Sequence, residues 1–347
     1  MSDNYTSILW NKQKKRYDMI LWAGIVLLLL SFTAFQFVLY KDITVETLII
    51  RATALTAIVL LHIILAIGPL SRIDSRFLPI LYNRRHLGVS MFLLALIHSA
   101  FSIIQFHVLG DTNPIVSVFT SNIKYDSISE FPFQTLGFFS IIILFVMAAT
   151  SHDFWLRNLS PKVWKGLHMS VYLAYAMIIL HVALGTLQYE SHPVYWVLLI
   201  LGFVIITGLH IFTGIIERRR LNGDKTDLIE NGFYEVCSVR DLKENCATTV
   251  FVNGENIAIF KYDGKLSAVH NVCKHQMGPL GEGKIIDGCI TCPWHGYQYR
   301  PEDGQSPPPF TEKIKTYEVK MINDMIWVNP SPKQEGTFVE PAKVKTS

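Results

Sequence analysis

Six apolar runs in the first 216 residues constrain the fold of this 347-residue chain more than any other feature. Each run is long enough to cross a bilayer, and within lipid a helix satisfies all of its own backbone hydrogen-bonding groups. The predicted spans are residues 19–40, 48–70, 87–108, 135–150, 166–187 and 194–216. We therefore predict a six-helix transmembrane bundle, followed by a soluble domain built from the charged, Gly- and Pro-rich remainder.

The distribution of Lys and Arg assigns the two sides of the membrane. The loops on one side of the membrane contain only Lys41 and Lys124, with Arg51 at the edge of the second span. The loops and terminal segments on the other side, the cation-rich face, contain Lys12, Lys14, Lys15, Arg16, Arg72, Arg76, Arg84, Arg85, Arg157, Lys162, Lys165, Arg218, Arg219 and Arg220. By the positive-inside rule, both termini are predicted to be cytoplasmic, in a bacterial-type inner or plasma membrane. The first span is too long for a signal-peptide core and lacks a small-residue cleavage site, so residues 1–18 are expected to stay as a cytoplasmic segment.

Two Cys-His couples in the soluble part predict a metal centre. Cys273-x-His275 and Cys292-x-x-His295 are separated by sixteen residues, and each has Gly and Pro nearby that allow a tight loop. Two thiolates on one iron and two imidazoles on the other are the donors of a Rieske [2Fe-2S] cluster. Zinc is the alternative, although zinc sites usually pair C-x-x-C with two His or a second C-x-x-C. Cys289, which forms a C-x-x-C with Cys292, is expected to be a buried strand residue.

These motifs resemble the Rieske ferredoxin family over residues 232–330. In the cytochrome bc variety of that family, each cluster loop carries an additional Cys and the two form a disulfide. Gly278 and Trp294 occupy those places here, and Tyr297 stands where that variety has a Ser that hydrogen-bonds the cluster. The resemblance therefore implies a ferredoxin-like cluster whose potential lies toward the low end of the Rieske range, roughly −150 mV.

Histidines within the predicted spans are candidate haem ligands, because intramembrane ionisable residues are costly and neutral imidazole is a usual axial ligand. His98 lies in the third span, and His168 and His181 lie in the fifth. At 1.5 Å per residue, His98 is about 18 Å beyond His86, and His181 is roughly 20 Å beyond His168. His98 and His181 are thus close in height and suited to bind one haem toward the outer leaflet.

The pair His86 and His168 predicts a second haem near the inner surface. The twelve residues to His98 turn a straight helix by about 120° net, and the thirteen from His168 to His181 by about 220°, so neither spacing keeps both imidazoles on one face. His86 also follows two arginines at the interface, where a solvated His costs little. The chain could therefore bind one haem or two. A role of these histidines in hydrogen-bonded packing, without haem ligation, is the other alternative. His62 is interpreted as a packing residue, with quinone binding or haem ligation as the alternatives.

A second resemblance rests on residues 84–88, Arg-Arg-His-Leu-Gly, and on residues 166–172, Gly-Leu-His-Met-Ser-Val-Tyr. These are similar to the ferric-reductase-like transmembrane domain, a family that includes NADPH oxidases, ferric reductases and the haem-carrying membrane subunit of bacterial methionine sulfoxide reductase. The resemblance implies b haem between the third and fifth helices and transmembrane electron transfer. It places His98, His168 and His181 at ligand positions, and the spacing from His86 is shorter than in two-haem members.

The predicted organisation is a multi-domain membrane protein. Residues 1–18 form the cytoplasmic N-terminal segment, 19–216 the ferric-reductase-like six-helix domain, 217–231 a linker, 232–330 the Rieske domain and 331–347 a disordered tail. The Rieske domain is predicted to be a small all-β sandwich with strands at 233–239, 248–252, 257–262, 266–270, 314–321 and 325–328. Pro307-Pro308-Pro309 resembles the segment that covers a Rieske cluster.

The combination predicts membrane electron transfer from a cytoplasmic donor, through the cluster and b haem, to an outer-side acceptor or quinone. The chain has no G-x-G-x-x-G nucleotide loop, so a separate reductase or ferredoxin, or quinol, is expected as donor. A redox sensor or assembly protein is one alternative. A Rieske oxygenase is another, but it needs iron held by two His and a carboxylate, and the 48 residues after Tyr299 contain no His. No nucleic-acid motif is present.

Overall fold

The computed structural model describes residues 12–344 except 78–79, 82, 153–154, 156–158, 186–192, 224–228, 276 and 295. The chain divides into two compact units. Trp10–Gly68 and Asn83–His210 make up one unit, which contains most of the apolar helices. Pro69–Tyr82 and Ile211–Ser347 belong to the other, which contains all of the described strands.

The described helices confirm the six-span prediction. They are α1 Lys12–Leu39, α2 Val45–Ile73, α3 Arg84–Ile103, α4 Pro114–Thr120, α5 Phe133–Thr150, α6 Pro161–Met169, α7 Val171–Leu184 and α8 Pro193–Gly223. The stretches long and apolar enough to cross a membrane are Lys15–Leu39, Val45–Ile73, Arg84–Val108, Phe133–Thr150, Val163–Leu184 and Pro193–Arg218. Several helices continue beyond the predicted apolar runs, because a helix can extend its charged end into the headgroup layer.

Two spans depart from a regular α-helix. The fifth, predicted as one helix, is interrupted at Ser170, which separates α6 from α7. This interruption lies between His168 and His181, so the rotation expected for a straight helix does not apply to them. In the third span, α3 continues beyond His98 as a π-helical turn, Ile104–Val108.

Helix α5 packs against both α7 and α3, which together carry three of the predicted haem ligands, His86, His98 and His181. Met91 and Leu94 of α3, Leu144 of α5 and Ala174 of α7 are buried within this unit. Many large apolar side chains of α1 and α8 are exposed on its outside. A soluble protein does not leave so much apolar surface in water, and the chain is an integral membrane protein whose outer face contacts lipid.

Short antiparallel strands form the all-β domain, as predicted. They are β1 Ile229–Glu230, β2 Phe233–Ser238, β3 Ala247–Val252, β4 Glu255–Tyr262, β5 Lys265–His270, β6 Lys284–Ile286, β7 Cys289–Thr291, β8 Gln298–Tyr299, β9 Thr316–Tyr317, β10 Val319–Ile322, β11 Met325–Val328 and β12 Ala342–Lys343. One sheet has the order β1-β2-β11-β10, a second has the order β12-β5-β4-β3 with β9 also paired to β5, and a third has the order β6-β7-β8. The strand predicted over residues 314–321 is two strands in different sheets.

Two apolar clusters form the core of this domain. The first joins Ile257 and Leu266 to Tyr317 and Ile326, which come from two different sheets. The second includes Phe260, Leu280, Ile290 and Tyr299, and it extends to Cys273 and Cys292. The cysteines of the predicted cluster therefore lie at the edge of a packed core, which holds their loops in place.

The prediction of a disordered tail is wrong for residues 331–344. Strand β12 pairs with β5, so the chain returns to the second sheet after its last predicted strand. On the way, the Glu335 carboxylate forms an ion pair with Lys274 Nζ at 2.5 Å. Lys274 lies between two predicted cluster ligands, so the tail contacts the first cluster loop. The low apolar content of the tail was misleading, because backbone hydrogen bonds and ion pairs fix this segment.

Glu255 anchors the start of β4 to the strand that precedes the first cluster loop and to β9. Its carboxylate accepts hydrogen bonds from Lys315 Nζ at 2.9 Å and from Tyr317 Oη at 2.8 Å, and His270 Nδ1 lies 3.5 Å away. Burial raises the pKa of Glu255, but the Lys315 and Tyr317 hydrogen bonds outweigh burial and lower this pKa below its usual value. A depressed carboxyl pKa stabilises the folded state above the unfolded pKa, and this contribution is lost as pH falls through the folded value.

We expect Glu255→Gln to lower the midpoint temperature of the soluble domain by about 5 °C, because about 1 kcal/mol of charge-assisted hydrogen bonding is lost. Bleaching of the cluster absorbance during heating of the full chain measures this midpoint. Since the carboxylate remains charged above its depressed pKa, the difference from wild type should stay constant from pH 8 to pH 5. Glu318→Gln, which removes an exposed pair with Lys333, is the control. A difference that disappears at pH 5 would contradict the assignment.

Candidate cluster and haem sites

The two predicted cluster loops share one backbone pattern. In each loop, the cysteine N–H donates to the carbonyl of the residue five positions later, which is Gly278 or Tyr297. The cysteine carbonyl accepts from the N–H of the residue four positions later. The distances are 2.9 and 2.8 Å at Cys273, and 2.8 and 2.9 Å at Cys292. The fourth residue has a positive φ in both loops, 58° at Met277 and 73° at Gly296. The structure thus presents the two cysteines on equivalent turns.

Gly278 allows these loops to approach each other. A Cβ atom at this position would lie 2.9 Å from Cys292 Sγ and 3.1 Å from the Trp294 ring. The two residues that stand in the places of the cytochrome bc disulfide are therefore neighbours. Close packing of an indole against a glycine replaces the covalent link.

The predicted cluster ligands that the structure describes are in protected positions. Cys273 and Cys292 are each 1% exposed. The Nδ1 atom of His275 is buried, and its ring stacks on Tyr297 with centroids 4.8 Å apart and planes at 9°. His295 lies outside the described residues. Among the residues described, no three Cys, His, Asp or Glu side chains are grouped to hold one ion. A two-iron cluster does not require such a group, because each iron takes two protein ligands.

Cys289 lies at the start of β7, where it pairs with Ile286 of β6. Its side chain is half-buried, less than the predicted full burial. Burial raises the pKa of the Cys289 thiol, which therefore stays protonated at neutral pH. The position of Cys289 at the start of β7 agrees with the prediction of a strand residue.

Tyr299 is a neighbour of the first cluster loop that the sequence motifs did not reveal. It is fully buried, and its hydroxyl lies 3.4 Å from Cys273 Sγ. The same hydroxyl accepts the Lys274 N–H at 3.0 Å, so its proton is available to the sulfur. Burial raises the pKa of Tyr299, which keeps that proton in place. One sulfur hydrogen bond is therefore present, although Tyr297 replaces the expected Ser.

We expect Tyr299→Phe to lower the cluster midpoint potential by roughly 50 mV, since a hydrogen bond worth about 1 kcal/mol stabilises the more negative, reduced state. An EPR-monitored redox titration of the full chain measures the midpoint. The matched control is Tyr297→Phe, because the Tyr297 hydroxyl donates to Glu312 rather than to sulfur. Equal midpoints for wild type and Tyr299→Phe would show that the contact with Cys273 has no electronic effect.

The proline-rich segment contacts the second loop. The Phe310 ring follows the three prolines and lies 4.7 Å from the Tyr297 ring, which in turn stacks on His275. Glu312 accepts the Tyr297 hydroxyl proton. Residues 310–312 thus fix the aromatic ring that orients one predicted cluster ligand.

In the membrane unit, the structure brings His98 and His181 together. Their ring centroids are 6.4 Å apart and their planes cross at 81°. His98 Nδ1 donates to the Ile50 carbonyl at 3.1 Å, and His181 Nδ1 donates to the Phe133 carbonyl at 2.8 Å. Because a carbonyl only accepts, Nδ1 carries the proton in each ring and Nε2 keeps its lone pair.

This pair fits a metal ion bound between two imidazoles. A metal–imidazole bond of about 2 Å on each side places two ring centres about 6 Å apart, close to the observed separation. Second-shell hydrogen bonds that fix the tautomer and ring orientation are typical of metal-binding histidines. The donor set therefore fits a b haem with two axial imidazoles.

Gly137 of α5 gives the His181 ring the space that it occupies. A Cβ atom there would lie 2.8 Å from His181 Cε1 and 2.9 Å from its Nδ1. We expect Gly137→Ala to displace the ring and to weaken haem retention about tenfold, because overpacking costs about 1–3 kcal/mol. Haem per chain after purification measures the effect. Gly208→Ala, whose added methyl group would have no heavy atom within 4 Å, is the control, and equal haem contents would contradict the prediction.

The second predicted pair is arranged differently. His86 Nδ1 lies 2.5 Å from Asp18 of α1, a partner that the sequence motifs did not suggest. His168 donates to the Trp164 carbonyl at 3.0 Å, stacks on the Trp164 ring at 3.8 Å, and has Ser151 Oγ 3.4 Å from its Nε2. Within the described part of the chain, no ring contact joins His86 to His168.

His62 agrees with the packing interpretation. Its Nδ1 donates to the Ile58 carbonyl at 2.7 Å, so its Nε2 accepts the Tyr175 hydroxyl proton at 3.1 Å. A Cβ atom at Gly202 would lie 2.6 Å from that Nε2. Both ring nitrogens are therefore satisfied by neighbouring groups.

Two family models match this chain, one in the helical region and one in the all-β domain. The Rieske [2Fe-2S] domain matches residues 232–318, and the ferric reductase like transmembrane component matches residues 51–179. The first match contains the two cluster loops, and the second contains His86, His98 and His168 but ends two residues before His181.

Similar proteins share the soluble domain. The ferredoxin component of the naphthalene 1,2-dioxygenase/salicylate 5-hydroxylase systems of a Ralstonia species is 33% identical, covering 24% of this chain and 81% of that protein. A cholesterol 7-desaturase of Xenopus laevis is 32% identical over 123 residues. The match covers 33% of this chain and 27% of the desaturase. The ferredoxin of carbazole 1,9a-dioxygenase from Nocardioides aromaticivorans, a solved structure, is 22% identical with a TM-score of 0.28, covering 29% of this chain and 100% of that one. The chain therefore belongs to the Rieske [2Fe-2S] family, and it carries a ferric-reductase-like transmembrane domain before its Rieske domain.

Proposed function

We propose that this chain transfers electrons between a cytoplasmic donor and the outer side of the membrane. Cys273, His275, Cys292 and His295 hold the [2Fe-2S] cluster, and His98 and His181 hold one b haem. When bound, each of these cofactors accepts and releases one electron. The protein's own part is to fix both in one polypeptide, through buried thiolates in the soluble domain and oriented imidazoles in the bundle.

The observation that carries this proposal is the geometry of His98 and His181. With Nδ1 of each ring hydrogen-bonded to a carbonyl and the ring centroids 6.4 Å apart, these two imidazoles would hold a haem iron, which would supply one-electron chemistry. A packing role alone does not require that both rings use Nδ1 for a backbone carbonyl and lie within 6.4 Å of each other. Among the described residues a ring contact joins His98 to His181 but none joins His86 to His168, which favours one haem per chain over two.

The donor is proposed to be a separate cytoplasmic reductase or ferredoxin. The cation-rich loops favour a cytoplasmic position for both termini and hence for the Rieske domain. One relative is itself the ferredoxin component of a larger system, which is consistent with electron delivery to this domain by a reductase.

Stopped-flow spectroscopy of the purified chain tests the proposal. We expect the haem absorbance to change to the reduced form within seconds when NADH and a ferredoxin reductase are supplied without oxygen. Fusion of a reporter to the C-terminus tests the orientation, and periplasmic behaviour would refute it. A redox sensor would also be reduced, but it would not be reoxidised catalytically by any added acceptor.

A Rieske oxygenase is the second candidate, because a cholesterol 7-desaturase matches 123 residues of this chain. That activity needs a mononuclear iron held by two His and a carboxylate, in addition to the cluster. Metal and sulfide analysis separates the two functions. Electron transfer predicts three irons and two sulfides per chain, two irons in the cluster and one in haem, whereas an oxygenase predicts an additional iron that a chelator removes without bleaching the cluster.

A further inference from the structure

We infer that helix α4 inserts into the acyl region of the outer leaflet and is a lipid-binding element, which goes beyond the proposed function. It lies in the loop of residues 109–132, between the third and fourth spans. This loop contains Lys124 and belongs to the cation-poor side of the membrane. A loop between two spans ordinarily lies in water, whereas the proposed partner of α4 is the acyl chain of a phospholipid.

The depth of α4 follows from its contacts with the fourth span. The centroid of the Phe119 ring lies 5.0 Å from that of Phe138 and 6.1 Å from that of Phe139. Helix α5 begins at Phe133, so these two contacts lie about 8 Å inside its start. With 18 residues, α5 is about 27 Å long and can cross a hydrocarbon core of about 30 Å only if both ends lie near the core boundary. Phe119 therefore lies at the depth of the acyl chains.

The same contacts place α4 on the lipid-facing side of the fourth span. Phe139 is 48% exposed, so Phe119 packs against the outer surface of α5. Val118 is buried, and Ser117 Oγ lies 2.9 Å from Nδ1 of His107, which is buried on the π-helical turn of the third span. One face of α4 thus contacts the third and fourth spans, and the opposite face is directed away from them.

This opposite face of α4 is apolar. Ile115 is 59% exposed and Val116 is 48% exposed. Leu109, which directly follows the third span at Val108, is exposed as well. The sequence has no charged residue in positions 112–123. The exposed face of α4 therefore continues the apolar surface by which the spans contact lipid.

The polar groups of α4 have partners within the helix, as a lipid environment requires. Asn113 Oδ1 accepts the Ile115 N–H at 3.0 Å, and the Asn113 carbonyl accepts the Ser117 N–H at 2.8 Å. Near the other end, the Thr120 hydroxyl donates to the Val116 carbonyl at 3.0 Å. These hydrogen bonds lower the cost of placing a short helix among acyl chains.

A second protein is the other surface that could cover this face. Protein interfaces are enriched in aromatic residues and Arg, and they have a polar rim. The exposed side chains of Ile115 and Val116 are aliphatic, and they lie beside a ring that is already at the depth of the acyl chains. Lipid therefore fits this face better than a protein partner does.

Photo-crosslinking of the wild-type chain tests the contact directly. The full chain is placed in nanodiscs of phosphatidylethanolamine and phosphatidylglycerol that include a phosphatidylcholine with a diazirine in one acyl chain. After irradiation, mass spectrometry maps the adducts. We expect acyl adducts on the peptide that contains residues 112–123, at a frequency comparable to that of α8, whose exposed side chains face lipid. The peptide of strand β3, which contains the exposed Phe251 of the soluble domain, should carry none.

The reactivity of introduced cysteines measures the protection. Ile115→Cys and Val116→Cys place a thiol on the exposed face of α4, and Asp126→Cys is the matched control at an exposed position of the same loop. A membrane-impermeant maleimide is added to the nanodiscs, and labelling of each cysteine is read from its own peptide and normalised to the rate in the denatured chain. We expect both α4 variants to react at least about tenfold more slowly than Asp126→Cys, because the reagent stays in water and the reactive thiolate is disfavoured among acyl chains.

Either measurement can overturn the inference. Labelling of both α4 variants at the rate of Asp126→Cys would place α4 in water. Protection from the maleimide without acyl adducts on the wild-type peptide would mean that protein covers this face. If both variants fail to fold, the crosslinking of the wild-type chain decides. Neither measurement depends on electron transfer, so failure of the proposed function would leave this result unchanged.

Discussion

His181→Ala is expected to remove haem from the purified chain, from one per chain in wild type to less than about 0.1. Loss of an axial ligand removes a direct metal bond, and even a second-shell partner of a metal ligand is worth about 10–100-fold in affinity. His98→Ala should have the same effect, because its ring centroid lies 6.4 Å from that of His181 and the two are proposed to hold the same haem. The pyridine haemochrome spectrum, divided by protein concentration, gives the haem content.

Matched histidine variants make this result specific. His62→Ala removes an intramembrane imidazole whose two nitrogens are already hydrogen-bonded to Ile58 and Tyr175, so its haem content should remain near that of wild type. His86→Ala should also retain haem, because within the described residues its ring contacts neither His98 nor His181. Retention of haem in both His98→Ala and His181→Ala would show that these two histidines are not the haem ligands. If wild type contains two haems per chain and His86→Ala contains one, then His86 and His168 bind a second haem.

Local patterns were sufficient where the chemistry is local in sequence. Cys273 and Cys292 lie on equivalent turns, and the similar heights predicted for His98 and His181 agree with their ring separation of 6.4 Å. The six spans followed from apolar runs alone. These features depend on hydrogen bonds within one helix or one loop, which a single sequence specifies.

Contacts between distant segments were not predictable in this way. Tyr299 reaches Cys273 across 26 residues, and Asp18 reaches His86 across 68. No spacing rule joins such pairs, because tertiary packing brings them together. The same reason explains the errors: the interruption at Ser170 has no Pro or Gly, and β12 pairs with β5 although its sequence has little apolar content.

Cys292→Ser is expected to abolish the EPR signal of the reduced cluster while the haem content stays unchanged. Cys292 is 1% exposed at the start of the second loop, whereas the proposed haem ligands belong to a different compact unit. Reduction of the haem by NADH and a ferredoxin reductase should slow by more than about a hundredfold, since the loss of a direct ligand exceeds the effect of a second-shell change.

Cys289→Ser is the matched control, because it makes the same change three residues earlier in the same C-x-x-C. Its thiol is half-buried at the start of β7, where Cys289 pairs with Ile286 of β6, so the cluster signal and the haem reduction rate should remain near those of wild type. Dithionite, which can reduce haem directly, should reduce it equally in both variants and thus show that the haem itself is intact. Rapid reduction by the reductase in Cys292→Ser would mean that electrons bypass the Rieske domain. Equal loss of the signal in both variants would instead assign Cys289 to the ligands of the cluster.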